Sequence, residues 1–332
     1  MKLVILIPCY NEEETIATVI NRIPKDLAHI DEVVTLVVDD GSSDRTAELA
    51  KEAGALVICH SQNRGVGSAF TTGLQQALAM GADIMVNIDA DGQFSPDEIP
   101  RLIAPILTKQ ADFVSGDRFT DPNGKIRKPQ NMPMIKYYGN LWMAKLISLL
   151  SKHRFTDVSC GFRAYSREAM LWLNLSGKFT YTQESFLDFA YKGLNIKTIP
   201  VQVKYFPERE SKVASNLFQY MIRTMKIILR SYRDYSPMRF FGWLGLVPFV
   251  LGSAAGIFML IFYINNGSFT PYKFVGIASI YLISLAILFW IVGLLADMFM
   301  RIRSNQEKLL YYEKKRQYTE NTIISSGNDS WQ

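Results

Sequence analysis

The chain has 332 residues, 48% of them hydrophobic and 20% charged, with 36 Lys and Arg against 31 Asp and Glu. It is too apolar to be disordered, and a net charge of +5 is too mild for a nucleic-acid binder, so no nucleic-acid partner is expected. Three widely spaced cysteines (Cys9, Cys59, Cys160) and three scattered histidines argue against a disulfide framework and a structural zinc site.

The first apolar run, Leu3–Ile7, reads as a strand and is too short for the core of a secretory signal, so none is expected. Further β-rich runs follow at Val33–Val38, Ala55–Cys59, Ile84–Ile88 and Phe113–Ser115. Helical patterns lie between them at Glu13–Ile23, Arg45–Glu52, Val66–Met80 and Pro96–Thr108. Alternation of this kind predicts an α/β domain with a mostly parallel sheet covered by helices on both faces. Two amphipathic stretches come next, Met134–Lys152 and Ser215–Tyr235, both with cations among their apolar residues. Such helices suit a membrane interface, and the second leads straight into a long apolar run.

That run, Phe240–Ile264, and a second, Phe274–Ala296, contain no charged residue. Each is long enough as a helix to cross a hydrocarbon core of about 30 Å. A mean hydropathy of +0.05 fits membrane segments averaged with a polar domain. Arg223, Lys226, Arg230, Arg233 and Arg239 precede the first run, and Arg301, Arg303, Lys308, Lys314, Lys315 and Arg316 follow the second. The loop Asn265–Lys273 carries one cation. This asymmetry predicts both termini and the N-terminal domain on the cytoplasmic side. The expected boundaries are 1–213 for the α/β domain, 214–239 for the juxtamembrane amphipathic helix, 240–300 for a two-helix transmembrane hairpin and 301–332 for a cytoplasmic tail.

Polar residues cluster where the strands end. Pro8-Cys9-Tyr10-Asn11-Glu12 follows the first, Asp39-Asp40-Gly41-Ser42 the second, Asn63-Arg64-Gly65-Val66-Gly67 the third, Asp89-Ala90-Asp91-Gly92-Gln93 the fourth and Gly116-Asp117-Arg118 the fifth. Asp44 suits a helix cap, but the four remaining clusters at one edge exceed what capping requires. Ligands of open parallel sheets bind beyond the carboxyl ends of the strands. Asp89 and Asp91, one residue apart after an apolar strand, can turn toward one hard cation, Mg²⁺ or Mn²⁺, of the kind that bridges diphosphate oxygens. No P-loop is present, and the glycine pair Gly65 and Gly67 alone is a weak phosphate signal.

Together the segments LIPCYNEEETI, VVDDGSSDRT, NRGVGSAF, NIDADGQFSPDEI, SGDRF, DVSCGFRAYSRE and RESKV resemble a family-2 glycosyltransferase with the A-type nucleotide-sugar-binding fold. The resemblance spans roughly residues 1–213. The two apolar runs narrow it to the polyprenyl-phosphate type, which includes dolichol-phosphate mannosyltransferase and bactoprenol glucosyltransferase. It implies inverting transfer of a hexose from a nucleotide sugar, UDP-glucose or GDP-mannose, to a polyprenyl phosphate at the cytoplasmic face, with self-association up to a tetramer. It also implies roles: Pro8, Tyr10 and Glu12 at the nucleoside, Asp39 and Asp40 at base or ribose, and Asp89, Asp91 and Gln93 at the metal. Arg118 falls near the acceptor phosphate, and Asp157 is base or organiser. Arg209 and Lys212 meet the lipid phosphate, although relatives often read G-x-S-K where this chain has Arg209. Arg163 is read as structural more readily than as a direct participant.

Two other readings compete. A membrane-anchored nucleotide-sugar-binding module without turnover is disfavoured by the intact Asp89, Asp91 and Asp157. A processive polysaccharide synthase would carry a Q-x-x-R-W segment, which this sequence lacks.

Overall fold

The computed structural model describes residues 1–174, 182–205, 225–226, 229–230 and 232–328. The chain groups into two units, residues 1–227 with 310–332, and residues 228–309.

The first unit is built on a seven-stranded sheet of order β3-β2-β1-β4-β6-β5-β7. Its strands are β1 (Lys2–Cys9), β2 (Glu32–Asp39), β3 (Leu56–Cys59), β4 (Ile84–Asn87), β5 (Phe113–Asp117), β6 (Arg163–Ser166) and β7 (Ile196–Pro200). Pairing is parallel for β1 with β2 and β4, β2 with β3, and β5 with β7. Only β6 runs antiparallel to its neighbours β4 and β5. The other six strands therefore share one direction, and their carboxyl ends share one edge.

Residues Leu3 to Ile7 are completely buried, as expected of a central parallel strand covered on both faces. On one face pack α1 (Ile16–Asn21), α2 (Thr46–Glu52) and α4 (Ile99–Leu107). Ile99, Leu102, Ile103 and Ile106 recur at helical spacing and are buried, which is why α4 lies against the sheet. On the other face lies α3 (Val66–Ala79). A Cβ at Gly73 would lie 2.1 Å from Leu6 Cδ1, so α3 sits closer to β1 than any larger residue allows. Phe70, Phe113, Tyr165, Phe186 and Phe189 form an aromatic layer between sheet and helices on that side.

Five strands and five helices follow the sequence expectation, with ends shifted by a few residues. β6 and β7 were not expected. β6 reads Arg-Ala-Tyr-Ser, without an apolar run, and β7 is a sheet-edge strand with Lys197 as its second residue and Pro200 at its end. Three further helices belong to the unit: α5 (Met134–Ser151), α6 (Arg167–Trp172) and α7 (Thr182–Lys192). The expected amphipathic stretch Ser215–Tyr235 lies largely outside the described residues.

Two long helices end the chain, α8 (Pro237–Asn266) and α9 (Lys273–Asn328). Both are long and apolar enough to cross a membrane. Only 22% and 11% of their most apolar windows are buried, so they are not core helices of a soluble domain. Within the second unit small residues bring them together: Gly252 faces Leu282 and Ile283, and Ser279 Oγ donates to the Gly252 carbonyl at 2.8 Å. Arg303 ties α9 to the segment before α8 through Asp234 at 3.3 Å and the Tyr235 ring at 5.3 Å.

Candidate active site

Register puts the strand ends that carry most of the expected residues on one edge. Cys9 pairs with Asp39, and Asp39 with Cys59, so β1, β2 and β3 end level. β4 ends beside them at Asn87, and Ile88 N–H donates to the Leu6 carbonyl. Because β6 is reversed, its first residue, Arg163, lies at this same edge, opposite Asn87. The reversal feeds the loop Asp157–Phe162 into the site from the opposite direction.

At the β1 and β2 ends the two loops are stitched together. Asn11 adopts φ +53°, its N–H donates to Ser42 Oγ at 2.9 Å, and its Oδ1 accepts from Ser43 N–H at 2.9 Å. Asp39, 4% exposed, accepts from the Ser42 hydroxyl and amide. Gly41 makes this turn at φ +77°, and a Cβ there would lie 2.7 Å from the Gln62 backbone, so only glycine fits. Asp40, 3% exposed, accepts from Arg64 N–H at 3.0 Å, Gly65 N–H at 2.7 Å and His60 Nδ1 at 2.6 Å. A carboxylate only accepts, so Nδ1 carries the hydrogen and Nε2 faces the Thr72 hydroxyl at 3.0 Å. Asp40 therefore shapes the third loop. Beside it Pro8 is buried, Tyr10 is exposed, and Glu12 is anchored through its N–H to Thr46 Oγ1 at 2.7 Å.

Asp89, Asp91 and Gln93 form the loop after β4. Asp91 Oδ1 accepts from Gln93 N–H at 3.0 Å, which curls the loop. The Gln93 carbonyl accepts from Lys204 N–H at 2.9 Å, and Phe94 bridges to Val203. Opposite lies Gly161, where a Cβ would fall 2.4 Å from Asp89 Oδ2. Enclosure pushes the Asp89 carboxyl up, while Arg118 and Arg163 pull it down. Two carboxylates are too few for an all-protein cage, and no group of three His, Cys, Asp or Glu suited to a metal occurs among the described residues. The pair nevertheless fits a hard divalent cation that takes its remaining oxygens from a diphosphate and water. Gly161→Ala is expected to displace Asp89 and lower turnover on the order of 10²-fold, because small misplacements at a reacting centre are costly. Thermal unfolding of the same variant should move little, which kinetics and melting on one preparation will check.

The third element is a buried ion pair. Arg118 donates through Nε to Asp157 Oδ2 at 2.6 Å and through Nη2 to Asp157 Oδ1 at 2.9 Å. It also donates to Ser159 Oγ at 2.7 Å and the Tyr205 hydroxyl at 3.2 Å. Asp157 is 0% exposed and further accepts from the amides of Arg118 and Ser159. Burial alone would raise its carboxyl, but the Arg118 charge and these hydrogen bonds hold it below its ordinary value. Burial pushes the neighbouring Cys160 thiol up to about 12, so it is no nucleophile near neutral pH.

Arg163, 0% exposed, donates to the carbonyls of Cys160 at 2.6 Å and Val158 at 3.1 Å, to Ser185 Oγ at 2.7 Å, and lies over the Phe186 ring at 5.0 Å. It shapes the loop. Arg209 and Lys212 lie outside the described residues. Sequence reasoning passed over His60, Ser159, Gly161 and Tyr205. For Gly161 a signal was visible: a glycine directly before Phe-Arg in DVSCGFR. The others carry no spacing that marks them.

A mostly parallel sheet with an acidic D-x-D loop at its carboxyl edge, a stitched β1–β2 cradle and a buried Arg–Asp pair define a nucleotide-sugar-type α/β enzyme of the A-type fold. Residues 4–171, half of the chain, match the family described as Glycosyl transferase family 2, and the protein belongs to that family and is a glycosyltransferase. It is 36% identical over 221 residues to UDP-N-acetylglucosamine--dolichyl-phosphate N-acetylglucosaminyltransferase of Methanococcus voltae, covering 60% of this chain and 85% of that protein. It is 30% identical over 220 residues to undecaprenyl-phosphate mannosyltransferase of Micrococcus luteus, covering 63% and 85%. The structure of glucosyl-3-phosphoglycerate synthase from Mycobacterium tuberculosis, solved with Mn²⁺, uridine diphosphate and glucosyl-3-phosphoglycerate, superposes with a TM-score of 0.53 at 22% identity, covering 69% of this chain and 79% of that one.

Proposed function

We propose that the protein transfers one hexose-type sugar from a nucleotide sugar to a polyprenyl phosphate, with inversion, at the cytoplasmic face of a membrane. The observation that carries this is that one chain joins a D-x-D carboxyl edge of a family-2 transferase to two apolar helices exposed along their length. The two similar proteins differ in sugar, yet both are named for a lipid phosphate acceptor. The acceptor class is therefore the better supported half of the reading. A panel of UDP-glucose, UDP-N-acetylglucosamine and GDP-mannose, offered to membranes containing polyprenyl phosphate, tests it by labelled glycolipid formed. No glycolipid from any donor would remove the reading.

In this reading Pro8, Tyr10 and Glu12 line the nucleoside, with Asp39 and Asp40 at base or ribose. Asp40 would act there largely through the loop it holds, since three donors already face it. Asp89 and Asp91, with Gln93, would hold Mg²⁺ or Mn²⁺, which supplies neutralisation of the charge growing on the departing diphosphate. An acceptor phosphate oxygen attacks the anomeric carbon, the bond from that carbon to the diphosphate oxygen breaks, and the nucleoside diphosphate leaves. Attack from the far face turns an α-linked donor into a β-linked product. Among the described residues Arg118 engages four of its five N–H donors, and the remaining Nη1 hydrogen would meet the acceptor phosphate. Arg209 and Lys212 would add cations at the lipid phosphate. Asp157 organises Arg118 and takes no proton from the acceptor.

The α5 helix supports placement at the membrane. Ile135, Tyr138, Trp142 and Leu149 are exposed on one face, with Lys136 and Lys145 beside them, while Met143, Ala144 and Ile147 pack inward. In the same reading both termini lie in the cytoplasm, which the flanking cations support, and the two helices are the route of self-association. A cysteine placed within Asn265–Lys273, after replacement of Cys9, Cys59 and Cys160, should react with an impermeant thiol reagent added from outside. Labelling only from the cytoplasmic side would contradict this topology.

A further inference from the structure

The last helical segment of the first unit is not a free tail. Tyr311 is 5% exposed; its ring stacks on Trp172 of α6 at 4.4 Å and 15°, and its hydroxyl donates to Glu168 Oε2 at 2.9 Å. Trp172 Nε1 donates to the other oxygen of Glu168 at 3.0 Å, so one carboxylate holds both rings in place. Lys314 Nζ donates to Asn174 Oδ1 at 2.6 Å and to the Leu173 carbonyl at 3.2 Å, closing the end of α6. Arg167, the first residue of α6, donates to the Tyr318 carbonyl at 3.2 Å. Both ends of α6 are thus gripped by residues 311–318.

From α6 the contacts lead to the site. Lys192 of α7 donates to the Trp172 carbonyl at 2.8 Å and pairs with Asp188 at 2.8 Å. Ser185 of α7 receives Arg163 Nη1, and Arg163 holds the carbonyls of Val158 and Cys160. Those carbonyls flank Ser159, which bonds Arg118 and Asp157, and Gly161, which abuts Asp89.

We propose that residues 311–318 form a C-terminal clasp that belongs to the catalytic domain, with Tyr311 and Lys314 as positioning residues that fix the loop Asp157–Gly161 through α6, α7 and Arg163. The two ends of the chain then make one catalytic unit. An isolated N-terminal segment would lack an essential brace. The contacts described for the clasp lead through the Val158 and Cys160 carbonyls to the Arg118–Asp157 pair, so the larger effect is expected on transfer and the smaller on donor binding.

The test uses full-length protein in lipid nanodiscs carrying Tyr311→Ala with Lys314→Ala, the conservative Tyr311→Phe, Lys314→Met alone, and Glu313→Ala as an exposed control. Hydrogen exchange is read by mass spectrometry, and transfer by kcat and by KM for the nucleotide sugar. The activity arm rests on the proposed transfer reaction; the exchange arm does not. In the double variant, amides of residues 158–172 should exchange about tenfold faster while β1–β3 stay unchanged. Its kcat should fall about tenfold with the donor KM within about twofold, the split expected when only reacting-state positioning is lost. Tyr311→Phe keeps the ring stack and should recover most of both effects, and Glu313→Ala should match the native protein. If the double variant fails to fold, Lys314→Met decides alone, with faster exchange confined to residues 158–174. Unchanged exchange at 158–166, or a kcat loss matched by an equal loss of nucleotide-binding sites, would overturn the clasp. Native protein without any transfer would sink the transfer reading and leave the exchange result to judge the clasp.

Discussion

Asp91→Ala is expected to lower sugar transfer on the order of 10²–10³-fold while leaving the fold intact. The residue lies on a loop beyond β4, where its Oδ1 accepts from the Gln93 amide, and it is not part of the buried apolar core, so its loss removes charge from the site and little packing. Excess EDTA should reproduce the defect in the native enzyme, and added Mn²⁺ or Mg²⁺ should reverse it. Asp89→Ala should be as inactive but less stable, because Asp89 fills the space left by the missing side chain of Gly161. Full activity in EDTA would remove the metal from the account and leave the carboxylates another role.

The second large effect belongs to Asp157. Asp157→Asn should retain donor binding and lose about 10²-fold or more in transfer, because Arg118 loses the partner that aims it. The pH profile separates the two roles open to this carboxyl. An acceptor phosphate monoester has a second pKa near about 6, so a base would be needed at low pH and dispensable at high pH. Asp157 is completely buried and held below its ordinary 3.8 by Arg118, which makes it a poor base near neutrality. The defect should therefore persist from pH 6 to 8.5, and strong rescue at high pH would show a base. Stability follows the same sign. The folded value is depressed, so the pair's contribution is complete above pH 3.8 and lost only as pH falls through the lower folded value. Removing one partner leaves an uncompensated buried charge, at a cost of about 3–5 kcal/mol, so melting must accompany the kinetics. The paired replacement Arg118→Met with Asp157→Leu should restore much of the stability and none of the activity.

Much of this was legible in the sequence wherever chemistry is local. An unbroken apolar run such as Leu3–Ile7 can only be a strand covered on both faces, and the polar residues after each such run fall on the carboxyl edge by topology alone. Asp89 and Asp91 stood out for that reason. β6 did not, because its burial rests on Arg163, whose cost of enclosure is offset by hydrogen bonds to the Val158 and Cys160 carbonyls and to the distant Ser185, and by ring contacts. The match of Arg118 with Asp157 joins two loops 39 residues apart, and its tightness is set by the reversed strand that returns the chain to the edge. The segment 311–318 reads as a charged tail, since Tyr-Tyr-Glu-Lys-Lys-Arg shows no apolar face. Its burial comes from one stacked ring and from lysine donors satisfied by carbonyl oxygens, a pattern that periodicity does not reveal.

In the proposed reaction a lipid phosphate receives the sugar. The direct measurement is single-turnover transfer by purified full-length protein in nanodiscs, with labelled nucleotide sugar, with and without polyprenyl phosphate, followed by extraction into organic solvent and NMR of the anomeric centre. The expected product is one labelled sugar per polyprenyl phosphate, β-linked from an α-linked donor, formed only when the lipid phosphate is present and with release of one nucleoside diphosphate. Label in a polymer, free sugar alone, or equal product without the lipid phosphate would contradict it.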